Sequence, residues 1–121
     1  MQDRRLEERL LCADFVSVQW RDGAGHAREA LANLEDISPS GVCLQLDEPI
    51  RRGALVRVVH PKGEMEGIVK YCIFRDLGYF MGIKFGAGYT WSRRRFKPKH
   101  LLDLRRLANR KTQARGGTPT D

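Results

Sequence analysis

From Asp14 to Phe85 the chain alternates apolar and polar residues in short runs, and turn residues separate nearly every run from the next. That period of two is the pattern of half-buried strands. In "DFVSVQW" (14–20), Val16, Val18 and Trp20 share one face. "RDGAG" then supplies a hairpin signal. "HAREALANLEDIS" favours helix by propensity. Its place straight after a hairpin, with no helix start signal of its own, favours a return strand, and strand is the reading adopted. "GVCLQL" is a strand and "DEPIRRG" a turn. In "ALVRVVH", Leu55, Arg57 and Val59 oppose Val56 and Val58. "PKGEM" turns the chain, "EGIVKYCIF" runs back, "RDLG" turns tightly and "YFMGIKF" is the last strand. Regular short strands of this kind predict a small antiparallel barrel or sandwich, and closure would remove exposed edges.

After residue 92 the pattern changes. Pro98 suits the first turn of a helix, and Leu101, Leu104 and Ala108 recur at helical spacing. The expected organisation is an Arg-containing segment over 1–13 that is mobile without ligand, a barrel over 14–92, a basic helix over 93–113 and a disordered tail over 114–121. Charge follows the same division. Residues 1–92 carry 12 basic and 13 acidic residues, whereas 93–115 carry 10 basic residues and only Asp103. A barrel that binds nucleic acid normally carries the basic stripe itself. Nucleic-acid binding is therefore not expected of the barrel and is kept as a third reading, for the basic segment 93–115 alone.

Several classes fall away. No apolar run approaches the length of a membrane span, and "MQDRRLEERLL" has no apolar signal region, so the expected location is the cytoplasm. Cys12, Cys43 and Cys72 stand singly, as do His26, His60 and His100, so neither a disulfide framework nor a metal site is expected. No phosphate loop or nucleophile elbow occurs, and no enzyme activity or cofactor is expected.

Two short motifs point to binding. In "NLEDISPSGVCLQL" (33–46), Asp36, Ser38 and Gly41 form D-x-S-x-x-G at a strand start. Pro39 pushes Ser38 into extended conformation, and Gly41 takes positive φ or admits close backbone approach. Asp36 and Ser38, two apart, point to one side. A carboxylate there can accept from the N1–H and N2–H₂ edge of a guanine. The alternative is a turn in which both side chains cap their own backbone. Upstream, Arg5 and Arg9 form R-x-x-x-R, a spacing that can clamp a dianion or read guanine O6 and N7. Its alternative is a solvated turn neutralised by Glu7 and Glu8.

R-x-x-x-R before a barrel, then [D/N]-x-S-x-x-G at a strand start, resembles the PilZ domain family of cyclic di-GMP receptors. "GIVKYCIFRDLGYFMGIKF" looks like that family's closing strand pair, and the resemblance spans about 4–85. It implies a six-stranded antiparallel β-barrel with a C-terminal α-helix. It also implies cyclic di-GMP as ligand, with Arg5 and Arg9 on phosphates and guanine edges, Asp36 and Ser38 on a guanine, and Gly41 allowing close approach. The implied function is a receptor that converts second-messenger binding into a changed contact with an unknown downstream protein, as monomer or homodimer. The alternative is a PilZ-like adaptor for pilus, flagellar or secretion machinery that binds no nucleotide.

Overall fold

The computed structural model describes residues 9–99 and the backbone of Leu102–Asp103. Six long strands carry the fold: β1 (Leu10–Arg21), β2 (Ala27–Ser38), β3 (Gly41–Leu46), β4 (Leu55–His60), β5 (Gly63–Arg75) and β6 (Gly78–Phe85). A two-residue strand, β7 (Leu102–Asp103), follows. The sheet runs β2-β3-β6-β5-β4-β1, and β1 pairs back onto β2, so six antiparallel strands close into a barrel. β7 adds to the free edge at the start of β1. The predicted strands are all present, including the ambiguous 26–38 run. There β2 pairs with β1 from Arg21↔Ala27 to Leu10↔Ile37, so tertiary pairing overrides helix propensity.

Alternation fills the barrel. Val16, Val18, Trp20, Leu34, Ile37, Val42, Leu44, Val56, Val58, Val69, Met81 and Ile83 all point inward and are buried. Besides a register shift in β1 between Leu11 and Asp14, two bulges interrupt the alternation, one in β2 between Leu34 and Asp36 and one in β5 between Val69 and Tyr71. Each inserts one unpaired residue, Glu35 and Lys70, and so reverses which side the following residues face.

Both ends of the barrel differ from expectation. β1 begins at Leu10, so residues 10–13 belong to the sheet rather than to a separate segment. Residues 1–8, with Arg5, lie outside the described residues. At the other end, 93–95 form a turn, 96–99 run without helix and Leu102–Asp103 pair with Leu10–Leu11. The rest of the expected helix, 104–113, and the tail lie outside the described residues.

Local chemistry explains why 96–99 is not helical. Trp91, Phe96 and Pro98 are buried against the barrel. The Trp91 indole N–H donates to the Phe96 carbonyl at 3.1 Å. Phe96 stacks on His60 with ring centroids 4.8 Å apart. The Lys99 backbone N–H donates to both carboxylate oxygens of Asp14, at 3.0 and 2.7 Å. Asp14 also accepts from His60 Nε2 at 2.7 Å, and His60 Nδ1 accepts the Lys62 N–H at 3.0 Å. These bonds hold the chain after Phe96 along β1 and β4.

Candidate functional site

The two bulges place four residues in one cross-strand row on the outside of the barrel. Asp36 pairs with Cys43, Cys43 with Gly82, and Gly82 with Tyr71, across β2, β3, β6 and β5. Strict alternation from Ala32 and Leu34 would have turned Asp36 into the core. The Glu35 bulge turns it out and lets Ile37 fill the interior instead. In β5 the Lys70 bulge does the same, so Tyr71 faces out while Cys72 packs against the core.

Arg9 covers this row. Its Nη2 donates to Asp36 Oδ2 at 2.9 Å, joining residues 27 positions apart. The Arg9 side chain is 55% exposed and that of Asp36 only 14%. Asp36 raises the Arg9 pKa above its usual value, chiefly by Coulomb attraction and against the opposing effect of partial burial. The Tyr71 hydroxyl donates to Cys43 Sγ at 3.8 Å. Burial, aided by the Asp36 charge, pushes the Cys43 thiol up to about 11, and burial pushes the Tyr71 hydroxyl up to about 12. Both therefore stay protonated, and the Asp36 carboxylate is the only anion of the row.

Gly82 sets the height of the surface. A Cβ built there would lie 2.3 Å from Tyr71 Cε2, so the Tyr71 ring lies directly on the β6 backbone. The row thus runs from a carboxylate and a guanidinium, past a thiol, to a phenol ring lying over a glycine. It can accept donors at one end and offer an aromatic face at the other.

The remaining motif residues sit one row along. Ser38 pairs with Gly41, and Gly41 with Lys84. The Ser38 hydroxyl donates to the Gly41 carbonyl at 3.3 Å, and Ser38 is buried. It closes its own turn, as one of the two sequence readings expected, whereas Asp36 instead reaches Arg9. A Cβ on Gly41 would lie 2.3 Å from the Ile83 carbonyl oxygen, so this glycine serves close strand approach rather than positive φ. The structure brings Arg9 to Asp36 and Ser38 to Gly41, and Arg5 lies outside the described residues.

Sequence reasoning missed Cys43, Tyr71 and Gly82. A glycine within the strand pattern "YFMGIKF" is a signal of close approach and could have marked Gly82. Nothing local marks Tyr71 as outward, because that depends on the bulge.

Among the described residues no cluster of His, Cys, Asp or Glu suits a metal, and no helix is long and apolar enough to cross a membrane.

No protein-family model matches the sequence, and no curated protein matches it. Among solved structures it is similar to the K. pneumonia MrkH-c-di-GMP complex, at 22% identity with a TM-score of 0.56. That match covers 96% of this chain and 56% of the MrkH chain, so this chain spans little more than half of its neighbour. MrkH in its apo state also matches, at 23% identity and a TM-score of 0.47, over 93% of this chain and 51% of MrkH. At this identity the likeness to the complex concerns the fold: this chain forms the same kind of barrel as part of MrkH.

Proposed function

We propose that this chain is a cyclic di-GMP receptor domain that binds its ligand on the outer row headed by Asp36. The observation that supports this most is the 2.9 Å meeting of Arg9 with Asp36 across 27 residues. It joins the ends of the two motifs on one surface. The fold shared with the c-di-GMP complex of MrkH adds support.

In this reading Arg9 occupies Asp36 while the site is empty. A guanine N1–H and N2–H₂ edge takes over the carboxylate, and the released guanidinium turns to a phosphate, joined there by Arg5. A partly exposed ion pair is worth about 0–1 kcal/mol, so the exchange opposes binding only weakly. Charge-assisted bonds to the ligand, about 1.5–3 kcal/mol each, outweigh it. The motion of Arg9, the residue just before β1, is the route by which binding alters a protein contact near the N-terminus. The domain acts as a receptor and not as a catalyst.

Calorimetric titration with cyclic di-GMP tests this. Arg9→Ala and Asp36→Ala should each weaken binding at least about tenfold, while Arg9→Ala shifts unfolding stability by less than about 1 kcal/mol. Cyclic di-AMP, which lacks the guanine donors, should bind far more weakly. Equal affinity for both dinucleotides, or normal affinity in Arg9→Ala, would refute the assignment. Absence of any binding would favour the adaptor reading, for which the exposed Ile73, Phe74 and Leu77 at the β5–β6 hairpin offer a protein-binding surface.

A further inference from the structure

Beyond the Asp36 row, the same tyrosine borders a second recess. A groove of ≈ 620 Å³ is lined by Pro49–Arg52 of the β3–β4 loop together with Lys70, Tyr71, Cys72 and Tyr79. Its volume lies in the range of small-molecule sites. Three of its residues are cations, Arg51, Arg52 and Lys70, and no acid lines it. Arg51, Arg52 and Lys70 are all exposed, and none forms an ion pair among the described residues.

Arg21, Lys62, Arg75 and Lys84 also form no ion pair among the described residues, while three other barrel cations do. Arg9 is paired with Asp36, Arg28 with Asp22 and Glu48, and Arg57 with Glu64 and Glu66. Three neighbouring like charges repel one another; salt screens part of that repulsion, and a bound anion offsets it more fully. The two arginines come from one loop, whose Gly53 N–H donates to the Val69 carbonyl at 2.8 Å. Lys70 is the residue expelled by the β5 bulge, so the bulge that turns Tyr71 outward also delivers a cation to the groove. Tyr71 and Tyr79 supply aromatic surface beside the charges. A cationic groove with aromatic walls matches a phosphate joined to a planar base.

We infer that the Arg51–Arg52–Lys70 groove is a second ligand site, which takes the phosphate of a nucleotide and holds its base against Tyr71 or Tyr79. The assignment does not rest on the reading of the Asp36 row, and the two sites share only Tyr71. The ligand chemistry is a phosphate ester of an aromatic base. Its source is either a mononucleotide or a second cyclic dinucleotide.

The test uses the full chain with GMP, guanosine and cyclic di-GMP as probes. Binding is followed by calorimetry and by NMR of the tyrosine rings, at two salt concentrations. GMP should bind saturably, move the Tyr71 or Tyr79 ring signals and weaken as salt rises, while guanosine should not saturate. The Arg51→Ser/Arg52→Ser/Lys70→Ser variant alters only exposed side chains and should keep the barrel's circular dichroism. Its GMP affinity should fall at least about tenfold, whereas Arg21→Ser, which removes an exposed cation outside both sites, should bind GMP within about twofold of the unaltered chain. Cyclic di-GMP binding that persists in Asp36→Ala and disappears with the three cations identifies a second dinucleotide as the source. GMP binding without it identifies a mononucleotide. GMP affinity unchanged by the triple substitution, GMP binding abolished by Asp36→Ala alone, or no saturation with GMP at millimolar concentration would each overturn the site.

Discussion

Replacing Asp14 with asparagine should unsettle the barrel far more than an isosteric change normally does. Asp14 is buried at 8% exposure and His60 at 5%. Because His60 Nδ1 accepts the Lys62 N–H, the ring proton sits on Nε2 and is donated to Asp14 Oδ2. The same carboxylate receives the Lys99 N–H on both oxygens. Asparagine keeps the shape but offers one acceptor oxygen and an NH₂ that itself donates. With its oxygen in the place of Oδ2, asparagine accepts from both His60 and Lys99 but sets its NH₂ beside the Lys99 N–H; turned the other way, the NH₂ faces the buried His60 Nε2–H. His60 cannot escape by changing tautomer, since Nδ1–H would then point at the Lys62 N–H. In either orientation a donor meets a donor and charge-assisted bonds become neutral ones, a cost of about 1–3 kcal/mol. For a chain of this size each kcal/mol is worth about 4 °C in Tm. A loss of about 1–3 kcal/mol therefore lowers Tm by about 4–12 °C. Thermal unfolding at pH 7.5, followed by circular dichroism and checked for reversibility, measures it. A drop below about 4 °C would show that the three bonds to Asp14 are not the anchor of the segment after Phe96.

Three further outcomes follow from the site's packing and titration. Gly41→Ala drives a Cβ to 2.3 Å from the Ile83 carbonyl, where backbone meets backbone, and should destabilise the barrel by about 1–3 kcal/mol in urea unfolding. Gly82→Ala meets only the Tyr71 side chain, so stability should change less than in Gly41→Ala, while Tyr71 leaves Cys43 and its hydroxyl titrates lower than about 12 by ultraviolet absorbance. Burial raises Cys12 to about 12 and Cys43 to about 11, so both thiols should resist iodoacetamide at pH 8 until the chain is unfolded, as mass spectrometry can report. Their folded values lie above those of the unfolded chain. The stability they contribute is therefore complete below the ordinary thiol range and is lost as pH climbs from about 9 toward 11 and 12. Unfolding midpoints that stay flat across that range would contradict the burial of these thiols.

Alternation and turn chemistry determined much of this protein from sequence alone. Val16, Val18 and Trp20, or Val56 and Val58, could only face inward together once their segments were strands, and the turns between them had to reverse the chain. The motif residues Arg9 and Asp36 were legible because two motifs, each loose alone, stand in order on a strand pattern, and the structure does bring the two side chains together. The closure of β1 onto β2 is a long-range pairing that no local window encodes, and it decided the ambiguous 26–38 run. The chain after Phe96 was likewise decided by partners distant in sequence: Asp14, on the first strand, accepts the Lys99 N–H. Above all, the tertiary structure decided which way Asp36 and Tyr71 face. A bulge moves every following residue to the other side of the sheet, and its position depends on which strand pairing best fills the interior. Leu34 and Ile37 both need the core, and so do Val69 and Cys72. Each pair is three residues apart, a spacing that regular alternation cannot serve. Glu35 and Lys70 absorb that mismatch, and the outward row from Asp36 to Tyr71 is its consequence.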